Sequence, residues 1–211
     1  MTDEKEIQII GKALELFLKY GIKSLTMDDV ARHLHISKKT LYQFVSDKKD
    51  LVVKSVQLAI SEEQNRICCS VKESNTAIDE LIEITKCINS KTSEIHPSVL
   101  YDLQKYHPKA WELMMDHKKE FIHGIMSSNL NRGIKEGYYR KKMNPEIVAS
   151  IYMIMVDQAM NAESHLAKKL SIDKLHLEVI NYHFNGICNQ KGLDYAKEVI
   201  KKQQNDLLSL D

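Results

Sequence analysis

Between Thr26 and Leu51 the chain sets three helix starts and a tight turn into 26 residues, TMDDVARHLHISKKTLYQFVSDKKDL. Few folds accept that density. Thr26 stands three residues ahead of Asp29 and just before Val30, Ala31 and Leu34, the order of a capping box in which a hydroxyl and a carboxylate close a helix N-terminus together. Leu34-His35-Ile36 reads as the turn. Ser37 then caps a second helix from Lys38 to about Val45, and Lys48 opens a third. Leu41 and Val45, four apart, face inward with Ile36, leaving Lys38, Lys39, Thr40, Tyr42 and Gln43 on the outer side. A short helix, a three-residue turn and a second helix opening on Lys-Lys-Thr have the proportions of an element that enters a DNA major groove.

The rest of the chain supports a helical frame for this stretch. Only seven Gly and three Pro stand against many Leu, Ile, Lys, Glu and Met, a balance that favours helix. Ile7, Ile10, Leu14, Phe17 and Leu18 recur at helical steps, and Gly21 closes that first helix. The whole-chain charge is +1 and implies nothing about an anionic partner. From Lys19 to Lys49, however, seven basic residues meet three acidic ones, a local excess of +4. The most apolar run, Ile147 to Val156, is about half the ~20 residues of a membrane span. Four cysteines without a CxxC pair fit a reducing compartment. The expectation is a cytoplasmic, all-α protein with no membrane segment.

Downstream, one long helix is expected from Lys48 to about Lys72, another from Ala77 to Asn89, and a loop over Ser90–Ser93. His96-Pro97 and His107-Pro108 mark boundaries, because the residue before Pro disfavours helix and Pro suits a first turn. SVLYDLQKY lies between them, and a single long helix follows, from Lys109 to about Tyr139. Asn144-Pro145-Glu146 starts the next helix, Ser171 caps a last long one, and AKEVIKKQQNDLL offers a further helix in the tail.

Ala13 to Leu51 resembles the N-terminal domain of the tetracycline-repressor (TetR) family of bacterial transcriptional regulators. The resemblance rests on Ala13, Leu16, Phe17, Gly21, Thr26, Val30, Ala31, Ile36, Ser37, Thr40-Leu41-Tyr42, Lys48 and Leu51. His35 stands where the family usually has Gly, and Leu34, Phe44 and Val45 also depart from its pattern. The resemblance implies a three-helix helix-turn-helix DNA-binding domain over 1–50 and a larger helical ligand-binding and dimerisation domain over 51–211. It implies phosphate contacts from Thr40, Tyr42 and Lys48, assisted by Thr26 beside the capping Ser37, and base contacts from Lys38, Lys39 and Gln43. It further implies an inducer pocket, expected among Leu100, Tyr101, Leu103, Tyr106, Trp111, Met114, Met115, Phe121 and Met126, for an apolar or aromatic small molecule. The two last long helices would form a four-helix homodimer interface through Ile151, Met155, Gln158, Ala159, Ala162, Val179, Ile180, His183 and Ile187. The expected partners are double-stranded palindromic operator DNA, a second copy of the chain and that inducer, in a regulator that represses.

The sequence carries no phosphate-binding Gly-rich loop, GxSxG elbow or HExxH, so no enzyme, cofactor or metal is expected. His117, Glu120 and His123 follow one another at steps of three, the spacing of a solvated helix ridge more than of a metal site. The competing reading is a helical small-molecule or redox sensor, with Cys68 or Cys69 as the candidate thiols, whose DNA binding is weak or vestigial.

Overall fold

The computed structural model describes residues 2–92, 95–96, 98–160 and 170–202, and the regular structure among them is helical. The helices are α1 (Thr2–Tyr20), α2 (Met27–His33), α3 (Lys38–Leu41), α4 (Lys48–Glu73), α5 (Ala77–Thr92), α6 (Ser98–Tyr106), α7 (Pro108–His117), α8 (His123–Glu136), α9 (Pro145–Met160), α10 (Ile172–Ile187) and α11 (Gln190–Lys202). The α5 helix runs through Ser90–Thr92, where the sequence suggested a loop. The tail helix is present as far as Lys202; the remainder of the stretch that suggested it lies outside the described residues.

Two compact units emerge, residues 1–63 with 94–117 and residues 64–93 with 118–211. The expected division at residue 50 does not follow these units, because α6 and α7 share the apolar core of the N-terminal helices. Val99, Leu103 and Ala110 are buried in one cluster with Ala13, Phe17, Val30, Ala31, Leu41, Val45, Leu51 and Val52. Within α1 the register is finer than its apolar period suggested. Ile7 is 56% exposed and Ile9 takes the inward place, since a 3.6-residue period brings 9, 10, 13 and 17 onto one face.

The second unit is built on Ile78, Leu81 and Ile82 of α5, Met126 and Leu130 of α8, Tyr152 and Val156 of α9, and Ile180, Phe184 and Ile187 of α10. A polar network crosses it. The Arg132 guanidinium donates to Glu80 at 2.8 Å, Glu136 at 2.7 Å and the Asn75 carbonyl at 2.7 Å. Asn129 donates to the Ala77 carbonyl and accepts the Tyr139 hydroxyl at 3.0 Å. Gly133 is required here, because the Tyr139 ring occupies the place of any side chain at that position. Gly137 closes α8 with φ 76°, the left-handed turn that glycine adopts without steric cost.

The single helix expected from Lys109 to Tyr139 is interrupted by a π-helical turn at Lys118–Ile122. That extra residue per turn removes the regular step from His117 to Glu120 to His123. The solvated ridge does not form. His117 is buried against Glu63, with Nε2 at 2.8 Å from the carboxylate, and His123 lies 3.2 Å from the Ser150 hydroxyl. Among the described residues no group of three His, Cys, Asp or Glu is arranged to hold a metal ion.

Candidate nucleic-acid interface

Each of the three helix starts between Thr26 and Lys48 is closed by nearby side chains. Thr26 accepts the Asp29 N–H at 3.1 Å while its own N–H and hydroxyl donate to the Asp29 carboxylate at 3.0 and 2.6 Å. These bonds hold the Asp29 carboxyl below the usual carboxylate range. Ser37 accepts the Thr40 N–H at 3.0 Å, and its hydroxyl lies 2.7 Å from that of Thr40. At the third start Asp50 donates its N–H to Asp47 at 2.8 Å and accepts the Ser46 N–H at 2.8 Å. The caps expected at Thr26 and Ser37 are therefore present, Asp47 adds a third, and together they fix the backbone while leaving outer side chains uncommitted to the core; Ser171, also expected to cap, makes no side-chain bond at the start of α10.

The turn between α2 and α3 depends on His35, whose φ of 54° is positive. The region is unfavourable for most side chains, and His is among the residues that enter it. Leu34 caps α2 and is buried with the head core. The second helix is shorter than expected: α3 ends at Leu41, and Gln43 and Phe44 donate to the Thr40 and Leu41 carbonyls in tighter i→i+3 bonds. Phe44 packs against the head core and Val45 is buried in it, so the departures from the family pattern are absorbed by packing.

On the outer side Thr26, Ser37, Lys38, Lys39, Tyr42 and Gln43 are exposed, and Thr40 and Lys48 are half-buried. Tyr42 is 43% exposed, an aromatic ring left at the surface beside two lysines. Lys38 is partnered, with its ammonium 2.8 Å from Asp28. Both groups are more than half exposed, so the pair is weak and yields readily to a stronger anion. Burial depresses the Lys48 ammonium pKa, and the Asp102 charge opposes that fall. Two contributors escaped the sequence reading. Lys54 donates to the Phe44 carbonyl at 2.6 Å and to Glu6 at 2.7 Å, pinning the segment that follows α3, and Asp28 orients Lys38. Neither belongs to a local motif, so spacing alone had no signal for them.

The residues expected to line a pocket do not share one core. Leu103 is buried with the head core, against which Trp111 and Met114 pack, and Met126 is buried in the second unit. Leu100 is buried; Tyr101 and Met115 are half-buried, as is Phe121 within the π turn; Tyr106 is at the surface. The residues expected at a dimer interface also divide. Ile151 and Gln158 are exposed and Met155 and Val179 half-buried, but Ala159, Ile180, His183 and Ile187 are buried within the chain. Ile180 and Ile187 are spent on the core of their own unit and offer no area to a second chain. Ala162 lies outside the described residues. Among the described residues, the large apolar side chains that α9 and α10 leave in solvent are Ile147, Ile151, Ile154 and Tyr182, the last two 62% and 70% exposed. His183 sits under Tyr152, ring centroids 5.0 Å apart, and burial pushes its pKa down to about 4. No disulfide joins the cysteines: Cys69 is exposed, Cys68 and Cys87 are half-buried and Cys188 is buried.

Residues 9–54 match the family model described as bacterial regulatory proteins, tetR family, a span that contains all three helix starts. An uncharacterised HTH-type transcriptional regulator of Bacillus subtilis (strain 168), YvaF, is 26% identical over 89% of this chain and 97% of its own length. IcaR of Staphylococcus aureus (strain Newman), a negative transcriptional regulator of the biofilm operon icaADBC, is 33% identical over 36% of this chain and 41% of its own. In fold, the chain is similar to a Saccharomonospora viridis protein solved in complex with choline, with a TM-score of 0.72, 15% identity and coverage of 89% and 100% of the two chains.

Proposed function

We propose, on the premise that this chain belongs to the TetR family of bacterial transcriptional regulators, that it is a repressor which grips a palindromic operator as a homodimer and is released by a small molecule. The observation that carries the DNA-binding part is the head itself: three self-capped helix starts with Tyr42, Lys39 and Gln43 exposed around them. Self-capping leaves little backbone to reorganise on binding, so side chains are presented to phosphates and base edges at low ordering cost. Lys48 contributes a charge whose burial is relieved by an incoming phosphate. Repression is supported by the name of the partial relative IcaR, a negative regulator.

Homodimerisation is supported by the apolar stripe Ile147, Ile151 and Ile154 on α9 with Tyr182 on α10, exposed among the described residues and more than a solvent-facing surface requires. In a two-fold dimer the two α3 segments meet half-sites about 34–36 Å apart. An inducer with an apolar or aromatic part is supported by the half-buried Tyr101, Trp111, Met114 and Met115, whose flexible thioethers and ring faces suit an adaptable apolar site. The choline complex of the S. viridis protein makes a quaternary ammonium one class worth testing, since aromatic faces attract such cations.

The deciding measurement is a titration of duplex DNA from upstream of the protein's own gene with wild type, Tyr42→Phe and Lys48→Ala. The variants are expected to lose about 3- to 30-fold in affinity, the range of one hydrogen bond to phosphate and one ionic contact, and Lys48→Ala to reduce the salt slope by about 1. Equal binding by all three, without sequence preference, sinks the assignment.

A further inference from the structure

Asp102 on α6 lies outside the DNA-reading segment and is 3% exposed. Its Oδ2 accepts the backbone N–H of Lys23 at 2.8 Å and the Ser98 hydroxyl at 3.4 Å. Lys23 belongs to the turn between α1 and α2, three residues before the cap Thr26. The last turn of α1 and the same connecting turn are gripped at further points. The His96 N–H donates to the Leu18 carbonyl at 2.7 Å, and the Lys23 ammonium donates to the Tyr106 hydroxyl at 3.3 Å. Gly21 has φ 81°, and a Cβ there would stand 2.5 Å from the Ser98 hydroxyl. Ser98 is held in turn by His96, whose Nδ1 accepts its N–H at 3.2 Å.

A carboxylate withdrawn from water is costly unless its lone pairs are used. Here one use is a backbone amide of the head. The α1–α2 turn sets the direction in which α2 leaves α1, and α2 carries α3 with it through the Leu34–Ile36 turn, where Leu34 and Ile36 donate to the Val30 and Ala31 carbonyls at 3.0 and 3.1 Å. Angle errors in a recognition helix weaken contacts to base edges more than contacts to phosphates, which are long-range and forgiving.

We propose that Asp102 is a positioning residue for operator recognition: through Lys23 and Ser98 it clamps the α1–α2 turn and so fixes the angle at which α3 meets the bases. This rests on the DNA-binding reading above. The clamp also gives α6 a direct hold on the head that does not pass through α4, so that any displacement of α6 alters discrimination between sequences before it alters adhesion to DNA. Asp102 further lies within electrostatic reach of Lys48 and His107. Removing its charge therefore leaves adhesion to phosphate unchanged or stronger, the opposite of its effect on base reading.

The test uses the full chain and two duplexes of equal length, one enriched by wild type from a randomised library and one scrambled. Asp102→Ala is expected to lower the operator-to-scrambled affinity ratio about tenfold, the scale of one spoiled base contact, with scrambled binding equal to or tighter than wild type. Asp102→Asn keeps an acceptor for the Lys23 N–H and is expected to recover part of the loss, leaving the ratio about threefold below wild type. A wild-type ratio in Asp102→Ala overturns the inference. So does a wild-type ratio in Asp102→Asn if Asp102→Ala does not fold, since Asp102 is then core support only. A library from which wild type enriches no sequence overturns the operator reading itself, and the inference falls with it.

Discussion

The two units use polar side chains in opposite ways. In the head, Thr26, Ser37 and Asp47 close helix starts at the surface, where water competes for every bond. In the second unit Glu80, Asn129 and Tyr139 are buried and bond to one another's neighbours away from water. A surface cap contributes about 1 kcal/mol and can be exchanged for a phosphate. A buried charged network contributes little net stability but is ruinous to break, because the partner left behind stays desolvated. The head is thus made of interchangeable contacts suited to binding and release, and the second unit of contacts that hold one arrangement.

The sharpest way to break this contrast is Arg132→Leu. It strands the Glu80 carboxylate, which is 4% exposed in its pair with Arg132, and is expected to destabilise the second unit by about 3–5 kcal/mol. Urea unfolding followed by hydrogen exchange reads it out, with amides of α5 and α8 losing protection before those of α2 and α3. Simultaneous loss in both units would mean that they do not fold separately.

His183 gives a pH arm to the same comparison. Its folded pKa of about 4 stands below the ordinary 6.5, so the unfolded chain binds the proton first as pH falls. The contribution is intact above about pH 6.5 and is lost progressively down to pH 4, reaching about 3 kcal/mol. His183→Phe should therefore flatten the difference in stability between pH 7 and pH 4.5 relative to wild type. A parallel pair of stability curves would show that the imidazole stays hydrated. On the outer side of the same helix pair, Ile154→Glu is expected to weaken a homodimer built on α9 by about 30-fold, the scale of a single interface anchor of about 2 kcal/mol. Sedimentation velocity reads the monomer fraction, and an unchanged dimer would relocate the interface.

Legibility differed between the units for a physical reason. Capping is local, so Thr26 with Asp29, Ser37 with Thr40 and Asn144 with the Ile147 N–H at 3.2 Å are written in spacings of three. The apolar period likewise announced most helices. Contacts between distant segments have no such signature. Asp102 meets Lys23 across 79 residues and Arg132 meets Glu80 across 52, and neither partner looks unusual in its own helix. The π turn at Lys118–Ile122 adds a residue to one turn of an unbroken apolar pattern, so the long helix looked continuous. The inward side of α10 was hidden for a related reason. The α10 helix is apolar on two sides, and periodicity cannot say that Ile180 and Ile187 face the chain's own core while Tyr182 faces out.

The smallest effect tests the surface half of the contrast. Thr26→Ala removes one acceptor for the Asp29 N–H and the hydroxyl that donates to the Asp29 carboxylate, but the Thr26 backbone N–H keeps its bond to that carboxylate. The loss in head stability should be about 1 kcal/mol. Operator affinity should fall by more than that stability loss dictates if Thr26 also touches a phosphate, because the vacated N–H is exposed and water replaces the hydroxyl in the free protein only. Comparing Thr26→Ala with Thr26→Ser separates the two effects. Serine restores the capping oxygen, so a serine variant with wild-type stability and wild-type affinity assigns the whole effect to the hydroxyl. A variant with wild-type stability but weakened binding assigns the remainder to the threonine methyl group against the DNA backbone.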